Sequence, residues 1–226
     1  MSVCTLDPRH GLGPRARQEF RAGFDIAWPL STTERGAALQ GLRSSSRRYF
    51  LTFRGSAYFE RGCYRTRLAD LHDPMNGVQV ITPCKFKNDR KAFHAFCAAA
   101  EKRAELSPSY DDLLNSTFCL VPGGSHPNSY RLAEVMSAGC IPVLVGDDFV
   151  LPFASFIDWS SVGFSVCATC ADAILPRLRA MATEQVEAMR ANVLRAHARY
   201  MRSEEARWWG VAVTLSRRIG CLANGE

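Results

Sequence analysis

Short apolar segments alternate with helix-forming segments along most of this chain, and this alternation limits the folds that it can adopt. Five segments have the β-branched and aromatic content of strands: "RYFLTF" (48–53), "GVQVIT" (77–82), "STFCLVP" (116–122), "CIPVLV" (140–145) and "GFSVC" (163–167). Apolar strands that alternate with helices form a parallel sheet covered by helices on both faces. The sequence therefore predicts an α/β fold with a parallel sheet that has helices on both faces.

The predicted helices lie between these strands and at the C-terminus. Residues 89–106 are strongly helix-forming, and a shorter helix runs from Ser129 to about Ala138, with Asn128 as its N-cap. Beyond the fifth strand the sequence is helical nearly throughout, with a break near Pro176 and a restart at Ser203. We therefore expect a helical C-terminus.

The first part of the chain has a different texture. Residues 1–46 are rich in Gly, Pro, Arg and Ser and show no sustained period, which predicts an irregular lead-in segment or the remnant of a missing N-terminal domain. Residues 47–220 are expected to form one domain. No apolar run approaches the roughly 20 residues of a membrane helix, and the N-terminus lacks the apolar core of a signal peptide.

Charge and cysteine content give weaker indications. The net charge of +6 is better explained by solvated surface than by an anionic partner, and no basic block indicates a nucleic-acid partner. The chain has nine cysteines, of which Cys167 and Cys170 have C-x-x-C spacing. No second pair completes a zinc site there, so packing at a strand end is favoured over metal or redox chemistry.

The segment "NSYRLAEV" (128–135) contains the candidate site. Ligands bind beyond the carboxyl ends of parallel strands, and this helix start follows such an end through a loop that contains Gly124. Backbone N–H groups at a helix N-terminus suit a phosphate, and Arg131 adds a fork of donors for a diphosphate. Glu134, three residues later, can accept hydrogen bonds from ribose hydroxyls. The combination suits a nucleotide diphosphate.

Spacing alone slightly favours a plainer explanation, in which Arg131 and Glu134 form an i, i+3 ion pair. Other sites are disfavoured, because the chain has neither the G-x-x-x-x-G-K-[ST] motif of P-loop NTPases nor the G-x-S-x-G motif of serine hydrolases. His126 lies in the suspected loop, where a histidine is more often a surface residue than a catalytic one.

The stretch from "LLNSTFCLVPGG" through "NSYRLAEVMSAGCIPVLVGDDFVLPFASFIDWSS" closely resembles the exostosin glycosyltransferases. That family has an N-S-x-F-C-L-x-P strand, a glycine loop, S-[FY]-R-[FL]-x-E-A, A-[GA]-C-I-P-V and then L-P-F with I-D-W. "FDIAWPL", "YFLTFRG", "YRTRLADLH" and "TPCK" precede these motifs in the expected order. The resemblance covers roughly residues 20–220.

The resemblance implies a Rossmann-like domain that forms the C-terminal, donor-binding half of a GT-B glycosyltransferase. Such an enzyme uses a nucleotide-sugar, usually a UDP-sugar, and a glycan or glycoprotein acceptor. It implies no cofactor and no metal, and a location in the Golgi membrane or lumen. Carried over residue by residue, the donor-binding positions are Arg54, Gly55, Arg67, Gly124, Ser129, Arg131 and Glu134. The resemblance also implies a disulfide between Cys84 and Cys97.

Three departures from the family pattern affect this interpretation, and one is that the membrane anchor of a Golgi enzyme is expected to be missing from this chain. Gly123, Ser125 and His126 stand where exostosins commonly carry a basic residue, so positive charge at the phosphate loop is reduced. The N-terminal Rossmann domain, which usually supplies the acceptor site and the catalytic base, is expected to be missing or supplied by a homologous partner chain. The alternatives are therefore a transferase, a non-catalytic nucleotide-sugar or glycan-binding fragment, and a scaffold without a ligand.

If the site is used, Arg131 and Glu134 are expected to project into an open cleft beyond the strand ends, close to Arg67. No catalytic base is identified from the sequence.

Overall fold

A computed structural model of the chain describes residues 20–30, 35–57, 64–85, 93–123, 129–147 and 149–223. Its centre is a five-stranded sheet in the order β2-β1-β3-β4-β5, with every pair of neighbours parallel. The strands are β1 (Tyr49–Arg54), β2 (Val78–Ile81), β3 (Ser116–Pro122), β4 (Ile141–Val145) and β5 (Phe164–Val166). The α/β architecture predicted from the alternation and the Rossmann-like fold implied by the family resemblance are therefore confirmed.

The central strands are covered on both faces. Every residue of β3 and of β4 is buried, and successive side chains of a strand point to opposite faces of its sheet. The main apolar core joins residues of β1 to β4 to helical residues such as Leu132, Val135 and Val193. Burial on both faces explains why these strands read as continuous apolar runs rather than as alternating ones.

The described helices are α1 (Tyr64–Leu68), α2 (His94–Glu105), α3 (Tyr130–Ser137), α4 (Ile174–Arg179), α5 (Thr183–Tyr200) and α6 (Glu204–Ala223). Two expectations about helix ends were wrong. Ser129 rather than Asn128 is the N-cap residue of α3, and Pro176 lies inside α4 instead of breaking the helix. Pro176 is tolerated because it occupies the first turn, where its missing N–H would have no partner in the helix.

The sheet changes direction of growth between β1 and β3. From β1 the chain adds β2 on one side, and then returns to add β3, β4 and β5 on the other. The crevice beyond the strand ends at such a switch point is where ligands bind in open α/β sheets. A ligand site is therefore expected at the carboxyl ends of β1 and β3.

The described part of the lead-in segment packs against the C-terminal helices and the sheet. Arg218 of α6 donates hydrogen bonds to the backbone carbonyls of Phe24 and Asp25, at 2.7 and 3.1 Å. The Trp28 and Trp208 rings meet edge to face with their centroids 4.9 Å apart. Among the described residues no helix has both the length and the apolar character to cross a membrane.

Candidate functional site

Arg131 fills a gap that opens between β1 and β3. The last paired residues of these two strands are Thr52 and Cys119, although β1 and β3 each stay paired with their outer neighbours further along. The Arg131 side chain reaches back from the first turn of α3 into this gap. Its Nε donates to the Leu120 carbonyl at 2.7 Å and its Nη2 to the Thr52 carbonyl at 3.5 Å. The guanidinium thus satisfies carbonyls that the diverging strands leave without a ladder partner.

Aromatic rings enclose the same guanidinium. Its central carbon lies 5.3 Å from the centroid of the Phe53 ring and 5.2 Å from that of the Tyr110 ring. Arg131 is only 7% exposed, and its Nη1 atom is buried without a hydrogen-bond partner among the described residues. A buried, charged donor without a partner is rare in folded proteins, and Nη1 is the donor of this residue that the described residues leave unsatisfied.

Glu134 belongs to a second set of contacts that shares Tyr110 with Arg131. The Tyr110 hydroxyl donates a short hydrogen bond to Glu134 Oε2. On the other side Arg35 lies over the Tyr110 ring, bonds to Asp111 at 2.9 Å and approaches Glu134 Oε1 at 3.9 Å. Burial raises the pKa of Tyr110, an effect that the Arg131 charge partly offsets, so the phenol is a donor at neutral pH.

Neither sequence-based picture of this pair is correct in full. Arg131 and Glu134 form no ion pair with each other; each is bonded elsewhere, and the Tyr110 side chain connects them. The expectation that both project into an open cleft is also wrong for Arg131, because its guanidinium lies between the diverging strands β1 and β3. Backbone carbonyls that the diverging strands leave unpaired require hydrogen-bond donors, and a rule based on helical spacing takes no account of such carbonyls.

Arg65, which the sequence did not single out, reaches the strand ends where Arg67 was expected. Its guanidinium donates to the carbonyls of Ser56, Pro122 and Gly123, the last at 2.8 Å, and lies 5.9 Å from the centroid of the Phe53 ring. Arg67 lies on the same short helix but is exposed. The carboxyl end of β3 is thus supplied with positive charge by α1.

Three other predicted donor-binding residues are within the described chain. Arg54 bonds to the carbonyls of Pro108 and Ala104. Gly55 follows β1, and a Cβ there would come within 2.7 Å of the Phe53 ring, so a larger residue would displace that ring. Ser129 precedes α3 and makes no side-chain cap to that helix. Gly124 lies outside the described residues, and no contact tests any of these donor-binding assignments.

The opposite end of α3 is fixed by Arg47. Its guanidinium donates to the carbonyls of Leu39 and Ala138, at 2.9 and 2.8 Å, and to that of Leu114 at 3.3 Å. Burial, followed by the neighbouring Arg190, lowers the pKa of Arg47 to about 10, so the side chain is still charged at neutral pH. Helix α3 is therefore held at both ends by buried arginines that bind backbone carbonyls.

Disulfides join three pairs of described cysteines. Cys84 pairs with Cys97, the pair that the family resemblance implies, and Cys119 on β3 pairs with Cys140 immediately before β4. Cys167 and Cys170 form the third bond, so packing at a strand end, favoured from the sequence, was the wrong interpretation. Within the described ranges no group of His, Cys, Asp and Glu side chains could hold a metal ion.

Comparison with known proteins gives consistent matches. The family model described as the Exostosin GT47 domain matches residues 16–175. The chain is similar to an Exostosin-1 homolog of Caenorhabditis elegans, with 30% identity over 83% of this chain and 52% of the relative. It is 31% identical to Exostosin-1 of Drosophila melanogaster over 83% of this chain and 26% of that protein. It is 36% identical to Exostosin-1c of Danio rerio over 63% of this chain and 21% of that protein. The chain thus spans about half, or less, of the length of these relatives.

Proposed function

Because the chain belongs to the exostosin GT47 family, we propose that it contains the donor-binding unit of a glycosyltransferase. The proposed reaction moves a sugar from a UDP-sugar to a glycan or glycoprotein acceptor. The observation that carries the proposal is the position of Arg131, a buried arginine at the β1/β3 switch point with one guanidinium nitrogen that has no hydrogen-bond partner among the described residues.

The proposed role of the arginines is electrostatic. In direct displacement at the anomeric carbon, the bond to the diphosphate breaks as the acceptor oxygen bonds to carbon, and negative charge develops on the leaving oxygen. Preorganised donors in a site of low dielectric stabilise such charge. Arg131 Nη1, the first-turn N–H groups of α3 and the nearby Arg65 supply positive potential, and we expect these groups to act without a bound metal ion.

Glu134 is proposed to hold the ribose of the donor. In the described conformation its carboxylate already accepts a hydrogen bond from Tyr110 and lies close to Arg35. A ribose hydroxyl would have to join or replace the Tyr110 hydroxyl as the donor to this carboxylate. The same exchange would bring the uridine portion alongside the Tyr110 ring, with the diphosphate closer to Arg131.

We propose that the protein works in the Golgi lumen. Disulfides form and persist in oxidising compartments of the secretory pathway and are rare in the cytosol. The described residues contain two disulfides buried within the fold, Cys84–Cys97 and Cys119–Cys140. In a reducing compartment these four cysteines would remain thiols, although the fold holds them together as two pairs. This pairing supports an oxidising location.

Release of UDP from a panel of UDP-sugars, with and without oligosaccharide acceptors, tests the enzymatic proposal on the full 226-residue chain. We expect acceptor-dependent release with at least one donor. Arg131→Lys, which keeps the charge but loses the planar fork, is expected to lower the rate by about 10- to 100-fold. The matched control is Arg195→Lys, an exposed change on α5.

The outcome also separates a transferase from a binding module. UDP binding without turnover for every donor and acceptor would contradict the transferase and leave a nucleotide-sugar-binding protein. Equal loss of activity in Arg131→Lys and Arg195→Lys would remove the assigned role of Arg131.

A further inference from the structure

The Cys167–Cys170 disulfide differs in its exposure from the other two disulfides of the described residues. It lies directly after β5, in the turn that leads to α4; Cys170 is exposed and Cys167 is half-buried. By contrast, Cys84 and Cys97 are each 2% exposed, and Cys119 and Cys140 are completely buried. Of these three described bonds, Cys167–Cys170 is therefore one that an external thiol can reach without unfolding of the protein.

We propose that Cys167–Cys170 is a thiol–disulfide exchange site whose substrate is an external thiol, either glutathione or the dithiol of an oxidoreductase. This inference does not depend on the proposed transferase activity. It assigns chemistry to a motif that the nucleotide-sugar site does not use.

The short loop closed by this bond supports exchange rather than a purely structural role. The pair is separated by 3 residues, against 13 and 21 for the buried pairs. In the chain-entropy description, a shorter loop restricts the unfolded chain less, so this bond contributes less to stability. Exposed disulfides of low structural value are the ones that exchange most readily.

The backbone around the pair holds its shape independently of the disulfide. The Cys170 N–H donates to the Cys167 carbonyl at 3.0 Å, and the Ala173 N–H donates to the Cys170 carbonyl at 3.1 Å. Between the two cysteines Ala168 packs against the main core. Opening the S–S bond would leave these contacts in place, so the two sulfurs stay close enough to form the bond again.

The side chains also assign the two sulfurs different roles. An incoming thiolate attacks the more exposed Cys170 sulfur, forms a mixed disulfide and breaks the Cys167–Cys170 bond. The Cys167 sulfur leaves with the electron pair as a thiolate and then takes up a proton. A second external thiol, as thiolate, attacks the mixed disulfide and releases Cys170, so that two external thiols become one disulfide while the protein gains two thiols.

Thr169 is placed to assist that departure. Its Oγ1 atom lies 3.3 Å from the Cys167 sulfur, within hydrogen-bonding distance. A hydroxyl that donates to the developing thiolate stabilises it, and a better-stabilised leaving thiolate departs faster. We therefore assign Thr169 as a positioning residue for exchange.

The test follows each disulfide separately in the folded full chain. The oxidised protein is incubated with reduced glutathione or, in a second arm, with a reduced thioredoxin-type protein; samples are acid-quenched, alkylated and read by peptide mass spectrometry. We expect Cys167–Cys170 to be reduced about 100-fold faster than either buried pair, while circular dichroism stays unchanged. Reduction in only one arm identifies the thiol source. Equal rates for all three pairs, or reduction of Cys167–Cys170 only after unfolding, would overturn the proposal.

Single variants test the assigned roles. With glutathione disulfide, Cys167→Ser, which leaves Cys170 as the only thiol of the pair, is expected to form the mixed disulfide faster than Cys170→Ser. The opposite order would overturn the choice of the attacked sulfur. Thr169→Val should slow reduction by glutathione several-fold and Thr169→Ser should not; equal slowing by both would overturn the role of the hydroxyl.

Discussion

Arg131 Nε donates a hydrogen bond to the backbone carbonyl of Leu120 at 2.7 Å, in the place where β1 and β3 separate. The same guanidinium also reaches the Thr52 carbonyl on β1. A residue expected to bind only a ligand therefore also holds the two strands that border the crevice. Its structural and functional contributions have to be measured separately.

Replacement of Arg131 by methionine should destabilise the fold. Methionine retains much of the apolar stem but donates nothing, so two buried carbonyls lose a charged donor. We expect the free energy of unfolding to fall by about 2–4 kcal/mol, measured by urea denaturation. The exposed control Arg195→Met should stay within about 0.5 kcal/mol of the parent protein. An Arg131→Met variant as stable as this control would show that the carbonyl contacts do not support the fold.

Removal of the Tyr110 hydroxyl should affect ligand binding and stability in opposite directions. Tyr110→Phe keeps the ring beside Arg131 but frees the Glu134 carboxylate. We expect a loss of stability of about 1 kcal/mol and a several-fold gain in UDP affinity, because the ribose no longer competes with the phenol. Calorimetric titration with UDP and with 2′,3′-dideoxy-UDP measures the effect, and only UDP should gain. An equal change for both nucleotides would separate Glu134 from ribose binding.

The buried Cys119–Cys140 disulfide should contribute strongly to stability. It joins β3 to the residue before β4, and both sulfurs are inaccessible to solvent. The double variant Cys119→Ala, Cys140→Ala should lose about 2–4 kcal/mol in urea denaturation under non-reducing conditions. The double variant Cys167→Ala, Cys170→Ala removes a bond that closes a shorter loop, and it should therefore lose less stability. A reversed order of the two losses would contradict the argument from burial and loop length.

Stability should fall in mildly acidic solution because of His72. Burial, followed by the nearby Arg103 charge, lowers the pKa of His72 from its usual 6.5. Its Nδ1 accepts a hydrogen bond from the Val80 N–H at 3.1 Å, a role that protonation ends. Since the folded state favours the neutral ring, this contribution is complete above pH 6.5 and is lost as the pH falls through the lower folded-state pKa.

The test compares urea unfolding at pH 7.5 and pH 5.5. His72→Asn, which retains an acceptor but does not titrate, should show a smaller loss between the two pH values than the parent protein. An NMR titration should place the midpoint of His72 below 6.5. Equal pH dependence of both proteins would exclude His72 as the cause.

Local signals predicted most of the secondary structure, because apolar runs and helical spacing are properties of neighbouring residues. Each strand end lies within one residue of its predicted position, and the helix after β3 was placed correctly apart from its cap. The destination of the Arg131 side chain was not predictable in this way. It depends on where β1 and β3 part, which is fixed by tertiary pairing.

The sequence favoured Arg67, whereas Arg65 is the residue that reaches the strand ends, and the cause is similar. Helix α1 is only five residues long, and such a short element has no sustained apolar period from which to decide which side faces the sheet. The Cys119–Cys140 bond likewise joins β3 to the residue before the neighbouring β4, and a single sequence does not reveal the order of the strands in the sheet. C-x-x-C spacing was the available signal for Cys167–Cys170, although it does not distinguish a disulfide from a metal site.

Calorimetric titration of the full chain with UDP and with uridine tests the central claim most directly, since the two ligands differ only in the diphosphate. If Arg131 forms part of a diphosphate site at the β1/β3 switch point, UDP should bind at one site, at least about tenfold more tightly than uridine. Arg131→Lys should remove most of that difference, and Arg195→Lys should leave it unchanged. Equal binding of UDP and uridine, or no UDP binding by the folded parent protein, would contradict the account.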